Sequence, residues 1–282
     1  MHVLFIYRAT EFSPNNVGKD ASILEAVQAR ILLAGHATCA IHEEELSARD
    51  LEGADVVFSM ARRLKSLILL QHSGKRVINA AEGVMHTAPS RETTLNMLAE
   101  AGIAVPPFWA YEPSTDEMFL CDGELQQLLP GWVKAMHPKG VTSADVTFVQ
   151  TPLEADAKVM ELQSQGYSDI VVTKHVEGPV VKVYAVVREG QVAFLRWFLP
   201  QAEGYTKFGD ERHNSACAEG VSLDGKELSQ LVKRVSEAVG LSVFGFDAIL
   251  TAEGMLSVID VNDWPSFSKF REEAADAIAA LL

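Results

Sequence analysis

Two aspartates and an asparagine near the carboxyl end have the types and spacing to hold a metal ion. They lie in Val243-Phe-Gly-Phe-Asp247-Ala-Ile-Leu-Thr-Ala-Glu-Gly254-Met-Leu-Ser-Val-Ile-Asp260-Val-Asn262, two apolar runs separated by Glu253-Gly254. Such runs around such a pair read as a β-hairpin, and a two-residue turn there predicts that Asp247 faces Asp260. Strand side chains alternate, so Asn262 falls on the face of Asp260, one step along. Two carboxylates and an amide one strand apart suit a magnesium ion that takes its other ligands from phosphate and water. The competing reading is a hairpin with acidic strand ends in solvent. Both strands are apolar on both faces, which weighs against exposure.

Cations elsewhere could face such a site. Lys134 sits in the apolar strand Trp132-Val-Lys134-Ala-Met136 and needs a partner, either an anionic ligand or solvent at a sheet edge. Lys182 and Arg196 belong to a second hairpin, Val180 to Trp197, turning near Glu189-Gly190. A two-residue turn puts them on opposite faces, whereas a three-residue turn puts them opposite each other on one face. Both registers stay open.

These residues need elements to position them. Residues 3–7, 37–42, 54–60 and 76–79 read as strands alternating with helices at 20–35 and 62–73. That alternation predicts a small parallel, doubly wound sheet over residues 1–85. Such sheets bind ligands beyond the carboxyl ends of their strands, where this chain has Arg8, Glu11, Ser13, Asn15, Ser59, Arg62 and Arg63. Substrate contact and ordinary surface charge both account for that group. A second unit opens with a helix capped by Ser90 and ended by Gly102. Strands follow at 107–111, 132–136 and 146–150, with the polar loop His137–Ser143 before the last of these. Thr151-Pro-Leu-Glu154 fits a capping box for a helix to about Gln165, and Ile170–Val176 is the next strand. After the 180–197 hairpin, residues 200–222 are irregular and carry Arg212-His-Asn214. Helices near 226–239 and 268–281 flank the opening hairpin. The domains expected are 1–85, 86–173 and 174–282.

Composition narrows the class. The chain has 282 residues, 38 acidic against 24 basic, and a formal charge of -14. That balance argues against a general nucleic-acid or anionic-membrane surface. Cys39, Cys121 and Cys217 are few, distant and odd in number, as expected of free thiols, and small buried hydrophobes are their ordinary role. No run approaches signal-peptide or membrane-spanning length, so a cytoplasmic protein is expected. Gly220-Val-Ser-Leu-Asp-Gly225-Lys226-Glu227 has the glycine and lysine spacing of a phosphate loop, but Glu stands where a magnesium-binding Ser or Thr belongs. It reads as a turn and helix start. There is no dinucleotide-binding glycine motif, no nucleophile elbow and no zinc-binding histidine pair.

Arg91, Lys134, the segment Lys174-His175-Val176-Glu-Gly178, Lys182 and the Asp247, Asp260, Asn262 hairpin occur in the order seen in the ATP-grasp superfamily. From about residue 86 to its end the chain resembles that fold, and two branches of it most. The inositol polyphosphate kinase type is resembled in Arg91 with Pro106-Pro-Phe108, in Val181-Lys182-Val-Tyr184 and in Ile259-Asp-Val-Asn262. The ribosomal-protein glutamate ligase and glutathione synthetase type is resembled in Arg212-x-Asn214 and in the preceding parallel-sheet lobe.

The resemblance implies ATP between two α+β lobes, with adenine at a hinge strand around Lys174, His175 and Val176. Arg91 and Lys134, with Asn214, would bind ATP, and Asp247, Asp260 and Asn262 would hold Mg2+. Lys182 and Arg196 or Arg212 would steady an anionic intermediate, an acyl phosphate from which an amine then displaces phosphate. The loop His137–Ser143 has one glycine, fewer than the phosphate-covering loop of many relatives. Ala144 follows Ser143 where the kinase branch has histidine. With the charge of -14, that departure argues against a polyphosphorylated inositol. The expected function is therefore a carboxylate–amine ligase acting on a small carboxylate or amino acid. The alternatives are a small-molecule kinase and a nucleotide-binding protein without catalysis.

Overall fold

The structure, a computed structural model, describes residues 1–12, 17–111, 119, 122–135, 145–200 and 221–282. Ser13, Asn15, the loop His137–Ser143 with Ala144, Arg212 and Asn214 lie outside the described residues.

The first four strands are β1 (His2–Tyr7), β2 (Ala37–His42), β3 (Val56–Ser59) and β4 (Arg76–Ile78), parallel in the order β2-β1-β3-β4. Helices α1 (Val17–Leu33) and α3 (Leu64–His72) stand where the strand–helix alternation predicts helices, and the short α2 (Ala48–Glu52) is a further connection between β2 and β3. The central strands β1 and β3 are buried on both faces and accordingly lack polar alternation. Cys39 is exposed on the edge strand β2, a correction to the buried role its residue type suggests.

The second sheet has the order β5-β8-β6-β7, from β5 (Phe108–Ala110), β6 (Gly131–Ala135), β7 (Val146–Val149) and β8 (Ile170–Lys174). Helix α7 (Pro152–Ser164) packs on it through Ala155, Val159 and Leu162. Its start carries the expected capping box, with Thr151 accepting from the Glu154 backbone and Glu154 reaching back.

The third sheet is antiparallel, β10-β9-β11-β12, from β9 (Val180–Arg188), β10 (Gln191–Phe198), β11 (Val243–Leu250) and β12 (Leu256–Asp263). Helices α4 (Ala81–Thr87), α5 (Arg91–Glu100) and α8 (Gly225–Val239) cover one face, where Val181, Val183, Phe244 and Phe246 join a core that also holds Leu4, Ile6 and Val57 of the first sheet. The last helix, α9 (Arg271–Ala279), packs against α1. The first and third sheets thus share two apolar clusters, while the second encloses its own. The short helices α2, α4 and α6 (Gly123–Gln126) escape the sequence reading because one or two turns give too few repeats for periodicity to register.

Candidate functional site

The metal-ligand candidates stand as the alternation requires, through a different turn. Asp247 pairs with Asp260, and Gly245 with Asn262. Thr251 pairs with Met255, its N–H donating to the Met255 carbonyl at 2.9 Å, so the loop has three residues with Gly254 at φ 82°. That loop alone would slip the register by one residue. Ladder partners run Asp247↔Asp260 and then Ala248↔Val258, so Ile259 is the extra residue of a β-bulge that restores it. The two-residue turn expected from sequence is corrected, and the facing of the aspartates survives because loop and bulge compensate.

Cations close on both carboxylates. β9 lies beside β11 with Lys182 opposite Asp247, and the ammonium donates to Asp247 Oδ2 at 2.6 Å. Arg91, first residue of α5, donates from Nη1 to Asp260 Oδ1 at 3.0 Å. Asn262 Nδ2 donates to Asp260 Oδ2 at 3.1 Å. Arg91 is aimed by its helix start. Ser90 caps α5 and donates to Asp169, whose other oxygen accepts the Arg91 backbone N–H.

Lys134 is buried in β6, at 8% exposure. Burial first, then the neighbouring Arg91 guanidinium, lowers its pKa to about 8, with Asp260 and Asp247 opposing. No hydrogen bond or ion pair engages its ammonium among the described residues. A buried, unpartnered cation beside a second cation is a place for an anion.

Arg91, Lys134, Asp247 and Asp260 border one cavity whose empty space, its open mouth included, is about 810 Å³. Its polar wall is Arg91, Lys134, Asp247 and Asp260, and its apolar wall includes Pro106, Trp132, Val146, Val180 and Ile249. The bulge lets consecutive residues Ile259 and Asp260 both line it, which strict alternation forbids. Lys174 and Val176 line it from the end of β8 and the residues after it. His175 between them turns its ring to Trp132, whose Nε1 donates to Nδ1 at 3.1 Å, and to Phe148. The backbone there is fixed by Lys174 N–H to the Pro107 carbonyl and His175 N–H to the Pro130 carbonyl.

Arg196 is elsewhere. Glu189 and Gly190, both at positive φ, form a two-residue turn, and a bulge at Ala193 then sets Arg196 opposite Tyr184. It shares the face of Lys182 without standing opposite it, and its guanidinium pairs with Glu273 of α9 over the Phe194 ring. Neither simple turn register describes this hairpin. At the ends of β1 and β3, Arg8 and Arg62 both pair with Asp263, and Arg63 pairs with Glu11. Burial alone would raise the Asp263 carboxyl, but Arg62 and Arg8 bring it below its ordinary value. Ser59 is buried and accepts from the Ala61 N–H.

Sequence reasoning missed Thr173, Asp169 and the apolar lining. Thr173 lines the cavity with its hydroxyl buried and without a hydrogen-bond partner among the described residues; a single hydroxyl in Ile-Val-Val-Thr was its signal.

The chain has the ATP-grasp fold. It is similar over its whole length to the D-alanine–D-alanine ligase from Coxiella burnetii, at 13% identity and TM-score 0.71, covering 100% of this chain and 94% of that one. It is likewise similar to an ATP-grasp RimK domain protein from Sphaerobacter thermophilus, at 17% identity and TM-score 0.67, covering 100% and 99%. A third likeness is to the D-alanine–D-alanine ligase from Bacillus anthracis complexed with ATP, at 15% identity and TM-score 0.69, covering 100% and 96%. At these identities the likeness establishes the fold. No protein-family model and no curated protein matches the sequence. No helix among the described residues is long and apolar enough to cross a membrane.

Proposed function

We propose that this protein is an ATP- and magnesium-dependent carboxylate–amine ligase acting on a small molecule. The observation that carries the reading is the cavity wall of Asp247, Asp260, Arg91 and Lys134, with Asn262 and Lys182 bonded to its two aspartates. Two carboxylates and an amide oxygen fit a magnesium ion whose other ligands are phosphate and water oxygens. Bound there, magnesium would neutralise charge on the phosphoryl group in transfer. Lys134 and Arg91 would hold phosphate oxygens, and the hinge at Lys174–Val176 with the apolar wall would take adenine.

A substrate carboxylate oxygen would attack the γ-phosphorus as the bond to ADP breaks, giving an acyl phosphate. An amine would then attack the acyl carbon, phosphate would leave and the amine would lose a proton. Positioning and charge neutralisation suffice for the first step, which agrees with a wall made of cations and oxygen ligands. Lys182, bonded to Asp247, would stabilise the intermediate. Roles for Arg212 and Asn214 rest on the resemblance, and Arg196, paired with Glu273, would have to leave that partner to take part.

The test is incubation with ATP, magnesium and pooled amino acids and small carboxylates. Release of ADP and free phosphate is expected. AMP as product would overturn the reading, and phosphate retained on the product would mark a kinase.

A further inference from the structure

The two carboxylates of the candidate metal site are each closed by a neighbouring cation. Lys182 sits 2.6 Å from Asp247 and Arg91 sits 3.0 Å from Asp260. All four side chains are largely buried, at 12%, 21%, 10% and 28% exposure respectively for Lys182, Asp247, Arg91 and Asp260. The second oxygen of Asp260 is taken by the Asn262 amide. Aspartates directly opposite on neighbouring strands repel, so the nucleotide-free site needs these internal pairs. We propose that the site works by ion exchange: nucleotide phosphates draw Arg91 and Lys182 away and thereby release Asp260 and Asp247 to a divalent cation.

Two consequences follow from charge alone. A divalent cation without nucleotide must displace a guanidinium and an ammonium from partly buried carboxylates, and with nothing to receive them binding is weak. A nucleotide without the cation strips the carboxylates of their partners and leaves them facing each other and the phosphates. Cation and nucleotide therefore bind with positive coupling, equal in both directions. This inference rests on the nucleotide site proposed above.

The test uses Mn2+ as a spectroscopic probe on the intact chain, with free ion counted by electron paramagnetic resonance. Wild-type protein should bind Mn2+ weakly alone and at least about tenfold more tightly with a non-hydrolysable ATP analogue. Lys182→Met with Arg91→Met should gain nucleotide-free Mn2+ binding, about tenfold or more over wild type, and adding Asp247→Asn should remove the gain. Circular dichroism monitors folding, and Lys182→Gln with Arg91→Gln is the alternative pair if the first does not fold. Equal wild-type Mn2+ affinity with and without nucleotide would overturn the exchange, as would folded variants with no gain. Calorimetry with the analogue and magnesium separates the failures: no binding at all removes the nucleotide reading, whereas the Mn2+-only comparison tests the internal closure of the carboxylates by itself.

Discussion

Asp247 stands directly opposite Asp260 although the loop joining their strands has three residues, because Ile259 bulges out of β12 and returns the register. The pair forms the carboxylate part of the cavity wall, and Asn262, one step along, bonds to Asp260. Asp260→Asn keeps the shape and the contact with Asn262 but removes a charge that would face the metal. Magnesium-dependent turnover is expected to fall by about 100-fold or more, measured as ADP release, with circular dichroism confirming the fold. Retained turnover would falsify the metal assignment.

Lys134 carries the clearest conflict between stability and function. Its folded-state pKa of about 8 lies below the ordinary 10.5. Below pH 8 both folded and unfolded states hold the proton, and the full cost of burying the charge is present. Between pH 8 and 10.5 the unfolded state binds more protons, so this group makes stability rise with pH. Lys134→Met, of similar length and uncharged, is expected to stabilise the free protein at pH 7 by up to roughly 3 kcal/mol. The gain should shrink by pH 10 in urea unfolding. The same variant should lose nucleotide affinity in calorimetry, a trade of activity for stability.

The same conflict shows why some of this site could be read from sequence and some could not. A charged residue in an apolar strand, as at Lys134, and two aspartates set in apolar runs contradict their local surroundings, and such contradictions mark functional positions. Alternation with period two then places Asp260 and Asn262 on one face. The pairing of Lys182 with Asp247 needs β9 beside β11, strands separated by β10 and α8, which no local pattern specifies. Arg196 depends on a bulge at Ala193, and bulges leave little trace in composition. The apolar lining, Trp132, Val180 and Ile249, has no signal that separates it from core.

Asp263 ties β12 to the first sheet. It is 2% exposed and receives Arg8, which also donates to its backbone carbonyl at 3.1 Å, and Arg62. Its carboxyl pKa is lowered by these partners against the effect of burial. The stabilisation is therefore complete above the unfolded value of 3.8 and is lost as pH falls through the lower folded value. Asp263→Asn leaves two guanidiniums short of a charge and should cost about 3 kcal/mol at pH 7. Urea unfolding at pH 7 and pH 3 checks this: the difference from wild type should narrow at the lower pH.

The bulge itself makes a sharp prediction about register. Deleting Ile259 converts β12 to regular pairing beyond Val258, and Asp260 still comes next opposite Asp247. Every later side chain keeps its face. The loss is one apolar residue from the cavity floor, so the variant should fold, with stability reduced by about 1–3 kcal/mol, and should bind nucleotide more weakly. Deleting Val261 is different. Asp260 stays in place, but Asn262 takes a position that points into the core occupied by Phe244, Phe246 and Val258, because a one-residue slip reverses the face of each residue beyond it. An amide forced into that core and Asp263 moved from its arginines should prevent folding. Circular dichroism and urea unfolding of the two deletions, equal in length, separate a bulge that re-aims one residue from a strand that cannot tolerate any loss. Equal destabilisation of the two would contradict the register described for β11 and β12.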